Sequence, residues 1–230
     1  MSTVLDVLSR RAQYALLCED MRVFLPTVPD ESIELIVTDP PYDTGANWMF
    51  FFLYEQAWRL LKPGGHYITI TPQYLLDPFA SQLRDHVPEG WTPPGRGEFR
   101  LRWTMQMRQA VGPHPRLVNP DRNLEVCGKN LSLYTKLPLP QNDYRGFRDA
   151  FDSVPIPKAD RLHKWQQSLE WAEYCVDLAP EGGGGVILDP LMGVGTVGVA
   201  TLNRGHRFIG CDIDPEVVAI ARERIGREVL

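Results

Sequence analysis

The chain has 230 residues, of which 43% are hydrophobic, and its formal net charge is −5. This length and composition predict one α/β domain over residues 1–230 with a sizeable core. No apolar run approaches the ~20 residues of a membrane-spanning helix, and no basic-then-apolar leader begins the chain, so we expect a cytoplasmic protein. The four cysteines are scattered without a C-x-x-C pair, which predicts reduced thiols and no metal site.

Hydrophobic periodicity predicts strands that alternate with helices along the chain. Strands are expected at 12–18, 33–38, 67–71, 100–109, 131–136, 186–188 and 207–212, of which 100–109 and 131–136 form an antiparallel pair. Helices are expected at 48–61, 74–85, 168–178 and 215–227, with another beginning near 196 and a turn or short helix at 21–25. Asp214 is predicted to cap the last helix, because Pro215 suits a first helical position.

The predicted strand 33–38 ends on Asp39-Pro40-Pro41-Tyr42. Proline fixes φ and has no N–H, so a Pro-Pro step leaves backbone carbonyls with few competing donors. Asp39 adds a second acceptor and Tyr42 adds a flat aromatic face. This combination suits a planar group that carries an amino substituent, although a plain proline turn after a strand is the alternative.

A glycine-rich turn follows the predicted strand that ends before Asp189. Gly193 and Gly195 can adopt positive φ and allow close approach of a ligand, and the helix from Thr196 offers free N–H groups to an anion. Asp212 ends the next strand, where an acid can accept hydrogen bonds from both hydroxyls of a ribose. The pattern predicts a nucleoside-type ligand; the alternative is an ordinary turn between a strand and a helix.

The positive charge is concentrated in the middle of the chain. Residues 90–136 hold eight basic and three acidic side chains, a net +5, with tryptophans and phenylalanine among them. Local charge decides contact with phosphates, so this block predicts a DNA-facing patch, with a solvated sheet face as the alternative. Residues 86–123 contain long loops rich in proline, glycine and arginine, and residues 137–162 hold prolines with tyrosine, phenylalanine and arginine. We interpret both stretches as candidate DNA-recognition insertions.

Together these motifs resemble those of the amino-group DNA methyltransferases. Residues 39–42 match the catalytic motif of that family, and 189–196 match its D-P-F-x-G-x-G-T cofactor loop. Residues 163–168 resemble its H-P-x-Q-K-P segment, and 18–33 resemble its lead-in to the catalytic strand. Because the catalytic motif comes first and the cofactor loop last, the order resembles that of the β-class, which is circularly permuted.

The resemblance implies a single Rossmann-like domain with a mostly parallel sheet and one antiparallel hairpin strand. It implies S-adenosylmethionine as cofactor, double-stranded DNA as partner and a flipped target base. It assigns catalysis to Asp39, Pro40, Pro41 and Tyr42. It assigns cofactor contacts to Asp20, His163, Gln166, Asp189, Gly193, Gly195, Thr196 and Asp212, although a cap for Asp20 and a structural hydrogen bond for His163 are the alternatives.

Several readings stay open on the sequence. An aspartate at the first motif position favours the N6 amine of adenine in this family, and the N4 amine of cytosine is the alternative. The glycine spacing also fits a nicotinamide oxidoreductase, but no substrate domain follows Asp212. A DNA-binding module without catalysis is a third reading, which the intact motif at 39–42 disfavours. Members of the β-class often pair, so a homodimer in a prokaryotic cell or phage-infected host fits the resemblance. The role in restriction–modification, regulation or viral self-protection stays open.

Overall fold

A computed structural model describes residues 2–41, 45, 47–71, 99–109, 117–119, 124–125, 128–138, 148–180 and 183–229. Tyr42, the predicted helix at 74–85 and parts of both predicted insertions lie outside these ranges. Within them, no helix combines the length and apolar character needed to cross a membrane.

The helices and strands of the described residues follow the predicted alternation. The helices are α1 (Val4–Leu8), α2 (Met21–Phe24), α3 (Asn47–Leu60), α4 (Leu169–Val176), α5 (Thr196–Asn203) and α6 (Pro215–Glu228). The strands are β1 (Tyr14–Cys18), β2 (Ile33–Thr38), β3 (Leu61–Thr71), β4 (Phe99–Gln109), β5 (Leu117–Asn119), β6 (Leu124–Glu125), β7 (Gly128–Lys136), β8 (Ala150–Ser153), β9 (Val186–Asp189) and β10 (Arg207–Asp212). Short 3-10 turns lie at Leu25–Thr27 and Lys158–Asp160.

Eight of these strands form a mixed sheet in the order β1-β10-β9-β2-β3-β7-β4-β8, while β5 and β6 pair separately. Neighbours in the large sheet are parallel, except that β7 runs antiparallel to both β3 and β4. This confirms the predicted α/β class, the mostly parallel sheet and the antiparallel pairing of 100–109 with 131–136.

The central strands are buried on both faces, which explains their nearly continuous apolar sequences. On β2, Leu35 and Val37 belong to one core cluster, which contains α4, α5 and α6, whereas Ile36 belongs to the other, which contains α3. On β9, Ile187 belongs to the first cluster and Leu188 to the second. The alternation of side chains along each strand therefore forms two cores, one on each side of the sheet.

Several elements differ from the sequence prediction, and β3 and β8 show the physical reasons. Strand β3 begins at Leu61 instead of residue 67, because the segment with Gly64 and Gly65 is accommodated as a register shift where β3 pairs with β2. Gly64 has φ of 82°, which favours glycine. Strand β8 lies within the predicted insertion 137–162 and was not predicted, because four residues are too short for a clear period.

Two helical glycines give a matched test of the helix-to-strand packing. A Cβ at Gly198 in α5 would lie 2.7 Å from Phe208 Cε1 and 2.9 Å from Ile225 Cδ1, whereas a Cβ at Gly226 in α6 would meet nothing within 4 Å. We expect Gly198→Ala to lower the free energy of unfolding by about 1–3 kcal/mol because of overpacking. Gly226→Ala should raise it by up to about 1 kcal/mol through helix propensity. Urea denaturation of both variants measures the contrast, and equal effects at the two positions would contradict it.

Candidate active site

The site forms where three neighbouring parallel strands end. β10, β9 and β2 are adjacent in the sheet, so their carboxyl ends share one edge, which is where open α/β sheets bind ligands. Each strand ends at or next to an acid, namely Asp212, Asp189 and Asp39. All three line one cavity of about 850 Å³, a volume that suits a small-molecule ligand.

Most of the predicted site residues are brought together in this cavity. Those that line it are Asp39, Pro40, Pro41, His163, Gln166, Asp189, Gly193, Thr196 and Asp212. Asp20 and Gly195 are not among its lining residues, and Tyr42 lies outside the described residues. The two motifs, which lie about 150 residues apart in the sequence, therefore form one pocket.

The loop after β9 is fixed to the end of β10 by hydrogen bonds. Met192 N–H donates to the Cys211 carbonyl at 2.9 Å, and Gly193 N–H donates to Asp212 Oδ2 at 3.0 Å. Asp214 N–H donates to Asp212 Oδ1 at 3.0 Å. Gly193 has φ of 51°, a backbone conformation that glycine adopts without steric cost. Asp212 is thus oriented by the backbone on both of its oxygens.

Gly195 and Thr196 lie where α5 packs against α6, and their contacts with the cofactor stay a prediction. Gly195 is the N-cap of α5 with φ of 76°, and a Cβ there would lie 3.3 Å from Ala221 Cβ. The Thr196 hydroxyl accepts a hydrogen bond from Arg224 Nη1 at 2.8 Å, and Arg224 is only 5% exposed. Sequence reasoning missed Arg224, because a helical arginine is usually solvated.

Asp189 is the most deeply buried acid of the site, with 3% of its surface exposed. Its carboxylate accepts the N–H of Leu191 at 3.1 Å. Burial raises the pKa of the Asp189 carboxyl to about 8, and the negative charges of Asp212 and Asp39 act in the same direction. Protonation of Asp189 is therefore easier than that of an exposed aspartate.

Asp39 is held by two residues that sequence reasoning did not assign to the site. Its Oδ2 accepts hydrogen bonds from Lys129 Nζ at 3.4 Å and from Gln167 Nε2. Lys129 belongs to the basic block 90–136 that predicts a DNA-facing patch, yet it lines the cavity. The signal in the sequence was weak, since Lys129 and Gln167 lie 90 and 128 residues from Asp39.

The segment before α4 contributes His163 and Gln166 to the cavity wall. Gln166 N–H donates to the His163 carbonyl at 3.0 Å, and Gln166 Oε1 accepts from Leu162 N–H at 2.7 Å. These bonds fold the segment into a compact turn beside the acids. Trp165 also lines the cavity and is 73% exposed, which places a large aromatic face where the cavity meets solvent.

Asp20 has a structural role in this structure. Its side chain accepts Arg22 N–H at 2.8 Å as the N-cap of α2. It also pairs with the Arg22 guanidinium, whose Nη2 lies 2.5 Å from Oδ2. The hydrogen bonds from Arg22 hold the pKa of the Asp20 carboxyl below its usual value. These contacts correspond to the capping alternative, and a cofactor contact of Asp20 stays a prediction.

The sequence is similar to those of known DNA methyltransferases. The family model described as DNA methylase matches residues 122–223. Type II methyltransferase M.HpaI from Haemophilus parainfluenzae is 24% identical over 244 residues, which cover 93% of this chain and 74% of that relative.

Solved structures show the same architecture. The M1.HpyAVI–SAM complex matches with a TM-score of 0.69 at 20% identity, covering 92% of this chain and 98% of that chain. PvuII DNA methyltransferase, described as cytosine-N4-specific, matches with a TM-score of 0.67 at 15% identity, covering 93% of this chain and 86% of that chain. The fold is therefore the one that these DNA methyltransferases share.

The family match and the relative M.HpaI support assignment of this chain to the amino-group DNA methyltransferase family. This is the family that its motifs resemble, so the comparisons support the predicted family. The order of the two motifs, with Asp39 before Gly193, is the order that predicts the β-class of this family. Membership of the β-class stays a prediction.

The raised pKa of Asp189 predicts how stability depends on pH. A carboxyl with a pKa of about 8 when folded and about 3.9 when unfolded binds more protons in the folded state between these values. Stability should therefore fall as pH rises through this window, by at most about 1.4 kcal/mol per pH unit. Asp189→Asn removes this titration. The unfolding free energy of the variant should therefore increase relative to that of the wild type as pH rises from about 5 to about 8.

Urea denaturation at several pH values measures this difference. Asp160→Asn is the control, because Asp160 is an exposed residue of the 3-10 turn at 158–160. Its pH dependence should follow the wild type. Parallel curves for Asp189→Asn and the wild type would show that Asp189 is ionised in the folded protein.

Proposed function

We propose that this protein transfers a methyl group from S-adenosylmethionine to the exocyclic N6 amine of adenine in DNA. The observation that carries this proposal is the cavity in which Asp39 and Pro40, at the end of β2, face the same space as Asp189, Gly193 and Asp212. The motif for an amine and the motif for a nucleoside thus open into one pocket, as transfer between two bound molecules requires.

The residues present fit S-adenosylmethionine. Asp212, oriented by two backbone N–H groups, would hold the ribose hydroxyls, and Gly193 leaves room, since a Cβ at that position would meet nothing within 4 Å. Val194 and Val197 supply apolar wall for the adenine ring. The neighbouring carboxylates suit the positive charge of the molecule. When bound, it supplies an electrophilic methyl group that the amine nitrogen takes as the carbon–sulfur bond breaks.

Asp39 and Pro40 would prepare the amine for this transfer. The lone pair of an exocyclic amine is delocalised into the ring, so the nitrogen is a poor nucleophile. Hydrogen bonds from its two hydrogens to the Asp39 carboxylate and the Pro40 carbonyl would favour a tetrahedral nitrogen and localise the lone pair. Acceptors that are already oriented stabilise the positive charge that develops on nitrogen. The resemblance assigns Tyr42 to stacking on the base.

The target base must leave the duplex to reach this cavity. The reactive nitrogen takes part in base pairing, and enzymes that modify such atoms flip the nucleotide into a pocket. The backbone of DNA would meet basic side chains, and Arg102 and Trp103 on β4 are exposed. Lys136 in the same basic block is instead paired with Glu31 at 2.9 Å. Lys136 is thus less suited to a phosphate contact than Arg102, and the DNA-facing patch stays a prediction.

Cytosine N4 is the second candidate target. Asp39 at the first motif position favours adenine through the family resemblance. The likeness to the cytosine-N4-specific PvuII enzyme, at a TM-score of 0.67, keeps cytosine in consideration, because both amines require the same chemistry.

The product distinguishes the two targets. DNA from cells that express the protein, digested to nucleosides and analysed by mass spectrometry, should contain N6-methyladenine. Cells that carry the empty vector in a methylation-free background provide the baseline. Exclusive formation of N4-methylcytosine would reverse the choice of base, and the absence of either product with purified protein, DNA and S-adenosylmethionine would refute the proposed activity.

Mutations in the two halves of the cavity should have different effects, one on methyl transfer and the other on S-adenosylmethionine binding. Asp39→Ala should reduce methyl transfer at least ~100-fold, because a positioned acceptor is lost, while the Kd for S-adenosylmethionine stays within about twofold. Asp212→Ala should weaken S-adenosylmethionine binding at least ~10-fold through loss of charged hydrogen bonds. Calorimetry and a radiolabelled methyl-transfer assay measure both quantities. Wild-type transfer by Asp39→Ala would exclude Asp39 as the acceptor.

A further inference from the structure

The carboxylate of Asp39 is held by two donors that come from different parts of the fold. Lys129 Nζ lies 3.4 Å from Asp39 Oδ2, and Gln167 Nε2 donates to the same oxygen. The side chains of Asp39 and Lys129 are only 16% and 25% exposed. The pair is thus partly removed from water, where an ion pair is screened less than at the surface.

The sheet topology explains why Lys129 reaches this edge. β7 pairs antiparallel with β3, with Asn130 opposite Thr71, and β3 pairs in parallel with β2, with Thr69 opposite Thr38. The start of β7 therefore lies at the edge where β2 and β3 end. A parallel strand in that place would bring its final residues there instead. The reversed direction of β7 is what places a lysine from its first residues beside Asp39.

Gln167 is fixed by the segment that begins α4. Ser168 is the N-cap of α4, and its Oγ accepts the N–H of Trp171 at 3.4 Å. The same Oγ lies 2.6 Å from Ser153 Oγ on β8, and Ser153 and Ser168 are both buried. The residue that precedes Ser168 consequently has a fixed backbone next to the cavity. Gln167 is therefore presented to Asp39 by two anchored elements.

We propose that Lys129 and Gln167 are positioning residues that orient the Asp39 carboxylate toward the target amine. This inference rests on the proposed methyl transfer. A carboxylate bound through Oδ2 by an ammonium and an amide has a fixed orientation. The entropy cost of orienting it in the transition state is therefore smaller. The ammonium also offsets the negative charge of Asp39, which shares the cavity with three other aspartates, Asp189, Asp212 and Asp214.

A lysine at this position could instead bind a DNA phosphate, and the two roles predict different kinetics. A positioning residue changes kcat, because its effect appears at the reacting nitrogen. A phosphate contact changes the KM and Kd for DNA and their salt dependence. The contact with Asp39, rather than the charge of Lys129 alone, favours the first role.

The experiment compares Lys129→Met, Lys129→Arg and Gln167→Leu with the wild type. Single-turnover methyl transfer at saturating DNA and S-adenosylmethionine should fall roughly 10–100-fold for Lys129→Met and Gln167→Leu. Lys129→Arg should recover most of the rate, because it keeps a cationic donor. The Kd for S-adenosylmethionine by calorimetry and the Kd for duplex DNA should each stay within about threefold of the wild type.

Lys136→Met is the matched control, since it removes an ion pair with Glu31 at the other end of the same strand. It should keep the wild-type single-turnover rate, even where its Tm falls. A wild-type rate in Lys129→Met, or a loss confined to DNA affinity and its salt slope, would overturn the positioning role. An absence of methyl transfer in the wild type, with S-adenosylmethionine still bound, would refute the proposed function separately.

Discussion

The convergence of parallel strand ends is the constraint on which the rest of this structure depends. Three consecutive strands of the sheet, β10, β9 and β2, point their carboxyl ends at one edge, and each delivers an aspartate there. None of the three acids is near another in the sequence in a way that would suggest a cluster. Their proximity results from strand order alone, and the cavity exists because the chain must turn away from the sheet at that edge.

The concentration of acids has an electrostatic consequence that the surrounding residues partly offset. Burial raises the pKa of the Asp189 carboxyl, and the nearby negative charges of Asp212 and Asp39 add to this effect. Asp212 is stabilised by two backbone donors, and Asp39 by Lys129 and Gln167. The three acids are thus stabilised in different ways: Asp189 by a raised pKa, Asp212 by backbone N–H groups, and Asp39 by a cation and an amide. A cationic ligand would add to that support.

The elements with strong patterns were predictable from the sequence. The bounds of β2 are those predicted, because its consecutive residues Leu35, Ile36 and Val37 place apolar side chains on both faces of the sheet. The cap of α6 by Asp214 was also predicted, from the proline that follows it. Element order and both motif loops follow from such local signals, and the family match is consistent with them.

What escaped prediction depends on contacts between distant segments. The four residues of β8 carry too little pattern, and they form a strand because β4 offers a parallel edge. In the sequence, Lys129 is one of several basic residues in the block 90–136. Only the antiparallel direction of β7 places it beside Asp39. Arg224 and Thr196 are 28 residues apart, and only the packing of α5 on α6 reveals their bond. Side-chain partners across a sheet cannot be read from local periodicity.

The fixed orientation of Asp212 bears on how two similar molecules would be told apart. The proposed reaction brings two purine nucleosides into one pocket, and they differ in sugar: the methyl donor carries ribose, and the target carries 2′-deoxyribose. The backbone N–H groups of Gly193 and Asp214 fix the orientation of the Asp212 carboxylate. In that orientation it can accept hydrogen bonds from both hydroxyls of a ribose, whereas a sugar without the 2′-hydroxyl leaves one acceptor position without a donor. The missing hydroxyl would direct each nucleoside to its own half of the pocket, with no contact to either purine ring required.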